Sequence, residues 1–300
     1  MKLWLALLTG GVTADRNSTI RGTGFSKPLE KLAARTVYTA DWAGAVVGPP
    51  EDQTTFYSVT GSFTVPSPKP PSTSSSPGTW RGSAWVGIDS LPPTDVLVQA
   101  GIDWAVTKNS DGSVSTTYGA WYEWLPDPNY YFSNFALSAG DIITAHCQSS
   151  SPSNAECSLQ NHNTGAVVSK TMTAPSGGDL DVGAHAAWVV EDFFGAGGQV
   201  PFADFGTIEF SNCQAVTQSL NGAAGVNTIY GLSNSEIYLM DTGTSVSISG
   251  QSMSVSYTGT RTTRTDTGTT RTTTGTTWHL RDNSLVALVM AFLLIITFST

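Results

Sequence analysis

The chemistry open to this chain rests on carboxylates at the ends of apolar strand-like runs and a carboxamide inside another. Residues 187–193 read AlaTrpValValGluAspPhe and end on Glu191 and Asp192, while residues 97–101, LeuValGlnAlaGly, carry Gln99. A carboxylate and a carboxamide facing one another on a sheet can draw a proton from water and donate an N–H to a developing oxyanion. Trp42, Trp85, Trp104, Trp121, Trp124 and Trp188 give the domain more tryptophan than a core of its size requires, and Asp89, Asp103, Glu123 and Glu191 lie beside them. In TrpTyrGluTrp (121–124), strand alternation puts Tyr122 and Trp124 on one face and Trp121 and Glu123 on the other. A carboxylate sharing a face with Trp marks a groove, because a fully buried pair would leave a charge unmatched.

Other chemistries find less support. AspThrGlyThrSer at 241–245 has the pattern of pepsin-like aspartic peptidases, and a second AspThrGlyThr begins at Asp266. The second copy sits in Thr-rich sequence that could not hold it rigid, so 241–243 is expected to be a tight hairpin turn between 236–240 and 245–249, with Gly243 supplying a positive φ. No Gly-x-Ser-x-Gly elbow occurs, and His146, His162, His185 and His279 stand in no triad context. Neither His-x-x-x-His nor Cys-x-x-Cys spacing is present, nor a phosphate loop, so no metal or other cofactor is expected.

The elements that must position these groups are strands. Charged residues make up only 12% of the 300, the formal net charge is −9, and short Val-, Thr- and aromatic-rich runs are punctuated by Gly and Pro. That charge excludes a nucleic-acid partner, which needs a basic face. Around a dozen such runs, with no convincing helical periodicity, indicate one all-β sandwich or barrel over residues 37–258. Residues 1–14 look like a secretory signal and 15–36 like a pro-segment or leader. Residues 259–283 form a Thr-rich low-complexity stalk, and 284–300 an apolar tail laid out like a GPI-attachment signal, with a tail anchor or a gene-model artefact as the other readings. The expectation is a monomer that is secreted and tethered at the cell surface through this tail. Cys147 and Cys157 flank a turn as a hairpin-bridging disulfide would require, with reduced thiols as the alternative; Cys213 has no evident partner.

The ordered blocks TrpAlaGlyAlaVal (42–46), GlySerPheThrValPro (61–66), AlaTrpValGlyIleAsp (84–89), LeuValGlnAlaGlyIleAspTrp (97–104), AlaTrpTyrGluTrp (120–124), ValValGluAspPhe (189–193) and ValProPheAlaAspPheGly (200–206) resemble the fungal glutamic peptidases, also called eqolisins or family G1. The resemblance implies an antiparallel β-sandwich of two curved sheets, lectin-like in architecture, that hydrolyses polypeptides in a groove. It places the catalytic pair on Gln99 and Glu191, substrate-groove positions on Trp42, Trp85, Asp89, Trp121 and Glu123, and the AspThrGly region at the last hairpin. Gly119 and Ala187 stand where relatives often carry acids, and so does Phe194. These departures reduce negative charge near the groove and spare the pair. Two other classes fit the composition: a glycoside hydrolase or carbohydrate-binding module stacking sugars on Trp and using Glu123 and Glu191, and a non-catalytic wall protein. Gln99 discriminates, since a two-carboxylate glycosidase does not need it.

Overall fold

The computed structural model describes residues 35–50, 54–89, 96–180, 183–195, 197–219, 227–240 and 242–261. The expected signal, nearly all of the leader and stalk, and the apolar tail lie outside them. Within the described residues, period-two alternation of β-branched and aromatic residues with small or polar ones gives strands, and the only helical turn is a 3-10 turn at Leu232–Asn234.

From edge to edge, the first sheet consists of β1 (Thr36–Thr39), β16 (Glu236–Met240), β2 (Trp42–Val47), β11 (Ala186–Glu191), β4 (Gly78–Ile88), β5 (Val98–Lys108), β6 (Val114–Trp124) and β7 (Tyr130–Tyr131). The second runs β10 (Val167–Thr173), β9 (Asn154–Asn161), β8 (Ile142–Ser151), β3 (Thr54–Thr64), β14 (Thr207–Ser219), β18 (Ser252–Arg261) and β17 (Thr242–Ser249), with β15 (Ile229–Gly231) also on β14. A ribbon of β12 (Phe194–Gly195) and β13 (Gly198–Gln199) follows β11. Within the two sheets only the β1–β16 pair is parallel. The result is the antiparallel sandwich expected.

The core lies between the sheets, where Trp104, Trp188, Phe63, Phe210 and Ile88 are fully buried. A buried aromatic removes about 150–250 Å² from water, on the order of 4–6 kcal/mol of gross transfer energy at about 25 cal/mol per Å². Trp188 keeps its N–H satisfied by donating to the Thr60 carbonyl oxygen at 2.7 Å. Cys147 and Cys157 face each other across β8 and β9 and are joined by a disulfide. Cys213 is buried and free.

Two boundaries and one turn differ from expectation. Thr36 already belongs to β1, and β18 continues to Arg261, three residues into the expected stalk, because its Thr-rich end still pairs with β17. The stretch after Met240 is no hairpin turn: β16 lies in the first sheet and β17 in the second. Alternation on both sides looks the same whether a chain doubles back or changes sheets. The last hairpin is instead β17–β18, and Gly243 takes φ 60° at a register shift at the start of β17.

Candidate active site

Every expected groove residue except Asp89 falls on the outer face of the first sheet, and register explains why. Neighbouring strands align Trp42, Glu191, Ser83, Asp103 and Gly119 in one cross-strand row. A second row, two residues along, holds Gly44, Val189, Trp85, Gly101, Trp121 and Tyr131. A third holds Val46, Ala187, Gly87, Gln99 and Glu123. Successive residues of a strand point to opposite faces, so these odd-numbered positions on β4, β5, β6 and β11 share one face while Ala84, Val86, Ile102 and Trp188 join the core.

An apolar floor surrounds the acids. Val46, Trp85, Leu97, Trp121, Ala187, Val189 and Tyr238 form a second buried cluster, with Trp42 packed against it. Trp42 and Trp85 meet edge to face with ring centroids 5.0 Å apart. Gly101 makes this packing possible: a Cβ there would collide with the Ala84 carbonyl oxygen and come within 2.6 Å of the Trp85 Cβ. Gly119, where relatives often carry an acid, is excluded from doing so here because a Cβ would run into the Tyr131 ring and approach Asp103 Oδ1 at 2.6 Å. The Tyr131 hydroxyl donates to Asp103 Oδ2 across that gap.

Glu191 sits half-buried between two indoles. Trp85 Nε1 donates to its Oε2 at 2.8 Å and Trp42 Nε1 to its Oε1 at 3.3 Å. The protein packed around the carboxyl strips water from its charged form, and Asp41 adds repulsion; against the two indole bonds, these push its pKa up to about 8, with a further upward contribution from Glu123. Gln99, 5% exposed, donates from Nε2 to Glu123 Oε2 at 2.5 Å. Glu123 is pushed up to about 7 by burial, opposed by the Gln99 bond and the Asn129 backbone N–H.

Gln99 and Glu191 thus share a face on β5 and β11, with β4 between them and Trp85 in the intervening row. No hydrogen bond joins the two. Gln99 Oε1 and Ser83 Oγ are both buried on this face without a hydrogen-bond partner among the described residues, so two polar atoms stand ready for a bound water or peptide group.

Asp89 departs from its expected place in the groove. It is 1% exposed at φ 64°, and its carboxylate accepts the Gly183 and Ala184 backbone N–H groups at 3.0 and 2.5 Å. Its role is to fix the turn that leads into β11. Phe194 lies in β12, beyond the rows, and Ala187 is part of the apolar floor.

One acid beside Glu191 was missed by the sequence reading, and a second, Asp192, follows Glu191 in the chain but faces away from the groove. Asp41, raised to about 6 by burial, is the strongest charged neighbour of Glu191. Asp192, raised to about 7 by burial and then by Asp41, donates its backbone N–H to the Asp41 carbonyl oxygen at 2.9 Å. The signal was present in AspTrp at 41–42, an acid next to a groove tryptophan. What was hidden is that β2 pairs with β11.

Known proteins are similar to this chain in sequence and fold. Residues 40–257 match the model of the Peptidase A4 family. The chain is 35% identical over 239 residues to aspergillopepsin-2 of Aspergillus niger, covering 74% of this chain and 81% of that protein. It is 30% identical over 211 residues to scytalidopepsin B of Scytalidium lignicola, covering 68% and 74%. Scytalido-glutamic peptidase, solved with a transition-state-analogue inhibitor, matches at 31% identity and TM-score 0.58 over 73% of this chain and 98% of its own. SCP-B, an eqolisin solved with the tripeptide Ala-Ile-His, matches at 30% identity and TM-score 0.53 over the same shares.

Proposed function

The chain belongs to the Peptidase A4 family and is a glutamic-type endopeptidase of the eqolisin kind; from that premise we propose that Glu191 and Gln99 are the residues that cut the peptide bond. The observation that carries this is Glu191 itself, a desolvated carboxyl gripped by two indole N–H groups on the same face as a carboxamide whose oxygen has no partner.

In its charged form Glu191 takes a proton from water, which attacks the scissile carbonyl, and then returns that proton to the leaving nitrogen. The attack step needs the carboxylate, and the indole N–H groups of Trp85 and Trp42 stabilise that form. Burial, Asp41 and Glu123 raise the affinity of that carboxylate for the proton it takes from water, which it then holds until the nitrogen leaves. A carboxamide offers two N–H groups. Gln99 gives one to Glu123 and keeps the other for the oxyanion, while its Oε1 accepts from the attacking water. Trp121 and Trp42 line the groove, and polypeptides are its substrates. Membership of a peptidase family weighs against the glycosidase reading.

A denatured-protein digest across about pH 2–8, spanning the ordinary and raised carboxyl range, compares wild type with Gln99→Ala and Glu191→Gln. Both variants should lose proteolysis, and pepstatin should not inhibit wild type; retained wild-type cleavage in both variants rules the pair out. The reading extends to export through residues 1–14 and tethering through residues 284–300. Amino-terminal sequencing of the exported protein and release by phospholipase C check these two points.

A further inference from the structure

Strand alternation that aims Glu191 at the groove sends Asp192 the other way, into the open end of the sandwich. There it lines an open depression of about 350 Å³ to which both sheets contribute residues. Trp80 at the start of β4, Phe202, and Tyr257 on β18 line the same depression, each half-buried. The Phe202 and Tyr257 rings lie 6.1 Å apart at 64°. Asp192 is 6% exposed, and its Oδ1 has no hydrogen-bond partner among the described residues. Among the described residues, no Lys, Arg or His lines the depression.

We propose that this depression is a binding site for an organic ammonium group, whose charge pairs with Asp192 and whose methylenes lie against the Trp80, Phe202 and Tyr257 rings. Aromatic faces attract cations through their quadrupoles, and a carboxylate among them completes a cage. An anion would meet the Asp192 carboxylate and no cation among the described lining residues. A purely apolar guest would leave Asp192 Oδ1 buried and unpaired, which costs free energy. The ammonium group could come from a free amine or from a lysine side chain of a polypeptide. The site is separate from the groove, and the inference does not rest on the catalytic assignment.

The pH dependence follows from the groups facing Asp192. These are Asp41 on the β2 side, Glu191 as its chain neighbour, and Tyr257 from β18, with Asp204 acting on Tyr257. All are acidic or neutral, so Asp192 keeps its proton until about pH 7. A cation must displace that proton, and binding tightens as pH rises.

The test is isothermal titration of the purified protein with n-butylammonium and with Nα-acetyl-lysine amide, and with n-butanol as the neutral isostere. It is run at pH 5 and 7, with the fold checked by circular dichroism at each. At least one ammonium probe should bind, and the pair distinguishes a free amine from a lysine side chain. Its affinity should rise roughly 50-fold between the two pH values, as the ionised fraction of a group with a pKa near 7 does. Trp80→Leu should weaken binding at pH 7 and Asp192→Asn should abolish it. Equal binding of butanol, a flat pH dependence, or no binding of either ammonium probe overturns the proposal. The wild-type pH dependence stands as a test even if Asp192→Asn does not fold.

Discussion

The outer faces of the two sheets obey the same alternation and do opposite things with their polar residues. On the second sheet, side chains pair with each other across strands: Ser58 with His146 at 3.0 Å, Ser62 with Thr144 at 2.8 Å, Thr144 with His162 at 2.7 Å, and Ser254 donating to Glu209 at 2.7 Å. Each such pair gives both partners a hydrogen bond along the strand ladder. On the first sheet the acids stand in an apolar floor, their donors are indoles and a carboxamide, and Glu123 and Glu191 are both displaced far upward. Reactivity follows from that displacement: an acid held away from its solution state can exchange a proton that a satisfied ladder cannot.

The largest expected effect separates the faces on activity. Glu191→Gln should lower kcat/KM by on the order of 10³-fold, measured on a quenched peptide substrate, while His146→Ala on the opposite face should leave it at the wild-type value. Similar losses in both would erase the contrast.

Gly101→Ala tests the floor. The added methyl strikes β4 backbone beneath Trp85, and overpacking of this kind costs about 1–3 kcal/mol or more. Urea unfolding should show the loss, and a neutral result would mean that Trp85 has room to move.

The sign of the pH effect on stability is fixed by direction. Asp41, Glu123, Asp192 and Glu191 have folded-state pKa values raised to about 6, 7, 7 and 8. Each therefore stabilises the fold fully below its ordinary carboxylate range and loses that contribution as pH rises through its raised value. The melting temperature should fall by on the order of 10 °C between pH 4 and pH 8; calorimetry showing a rise would contradict the assigned burial.

Smaller and opposite shifts are expected from two substitutions beside Glu191. Trp85→Phe removes a donor to the carboxylate and should move the Glu191-dependent limb of the kcat/KM profile to higher pH. Asp41→Asn removes a repelling charge and should move it lower. A common direction would disprove the electrostatic account. Smallest of all, Ser62→Ala on the second sheet should cost about 0.5–1.5 kcal/mol and leave that profile unmoved.

Much of the fold was legible because strand alternation is local. The faces assigned in TrpTyrGluTrp are those observed, with Trp121 in the outer cluster and Tyr122 and Trp124 against the core. Neighbourhood was not legible. Trp42 and Glu191 are 149 residues apart in sequence and bonded in space, and nothing in either segment announces that β11 is inserted between β2 and β4. The same blindness made 241–243 look like a hairpin and left Asp41 out of the site. Asp89 was misplaced because a buried acid serving backbone N–H groups has the same sequence signature as one lining a groove.

The grip of Trp42 and Trp85 on Glu191 also has an optical consequence. Two of the chromophores that dominate near-ultraviolet absorption and emission are in direct hydrogen-bond contact with the Glu191 carboxyl. Their transition energies report the local field, so the site carries its own spectroscopic probe. Near-ultraviolet dichroism followed against pH reads the protonation of Glu191 with no substrate present, a view of the resting enzyme that turnover assays do not provide.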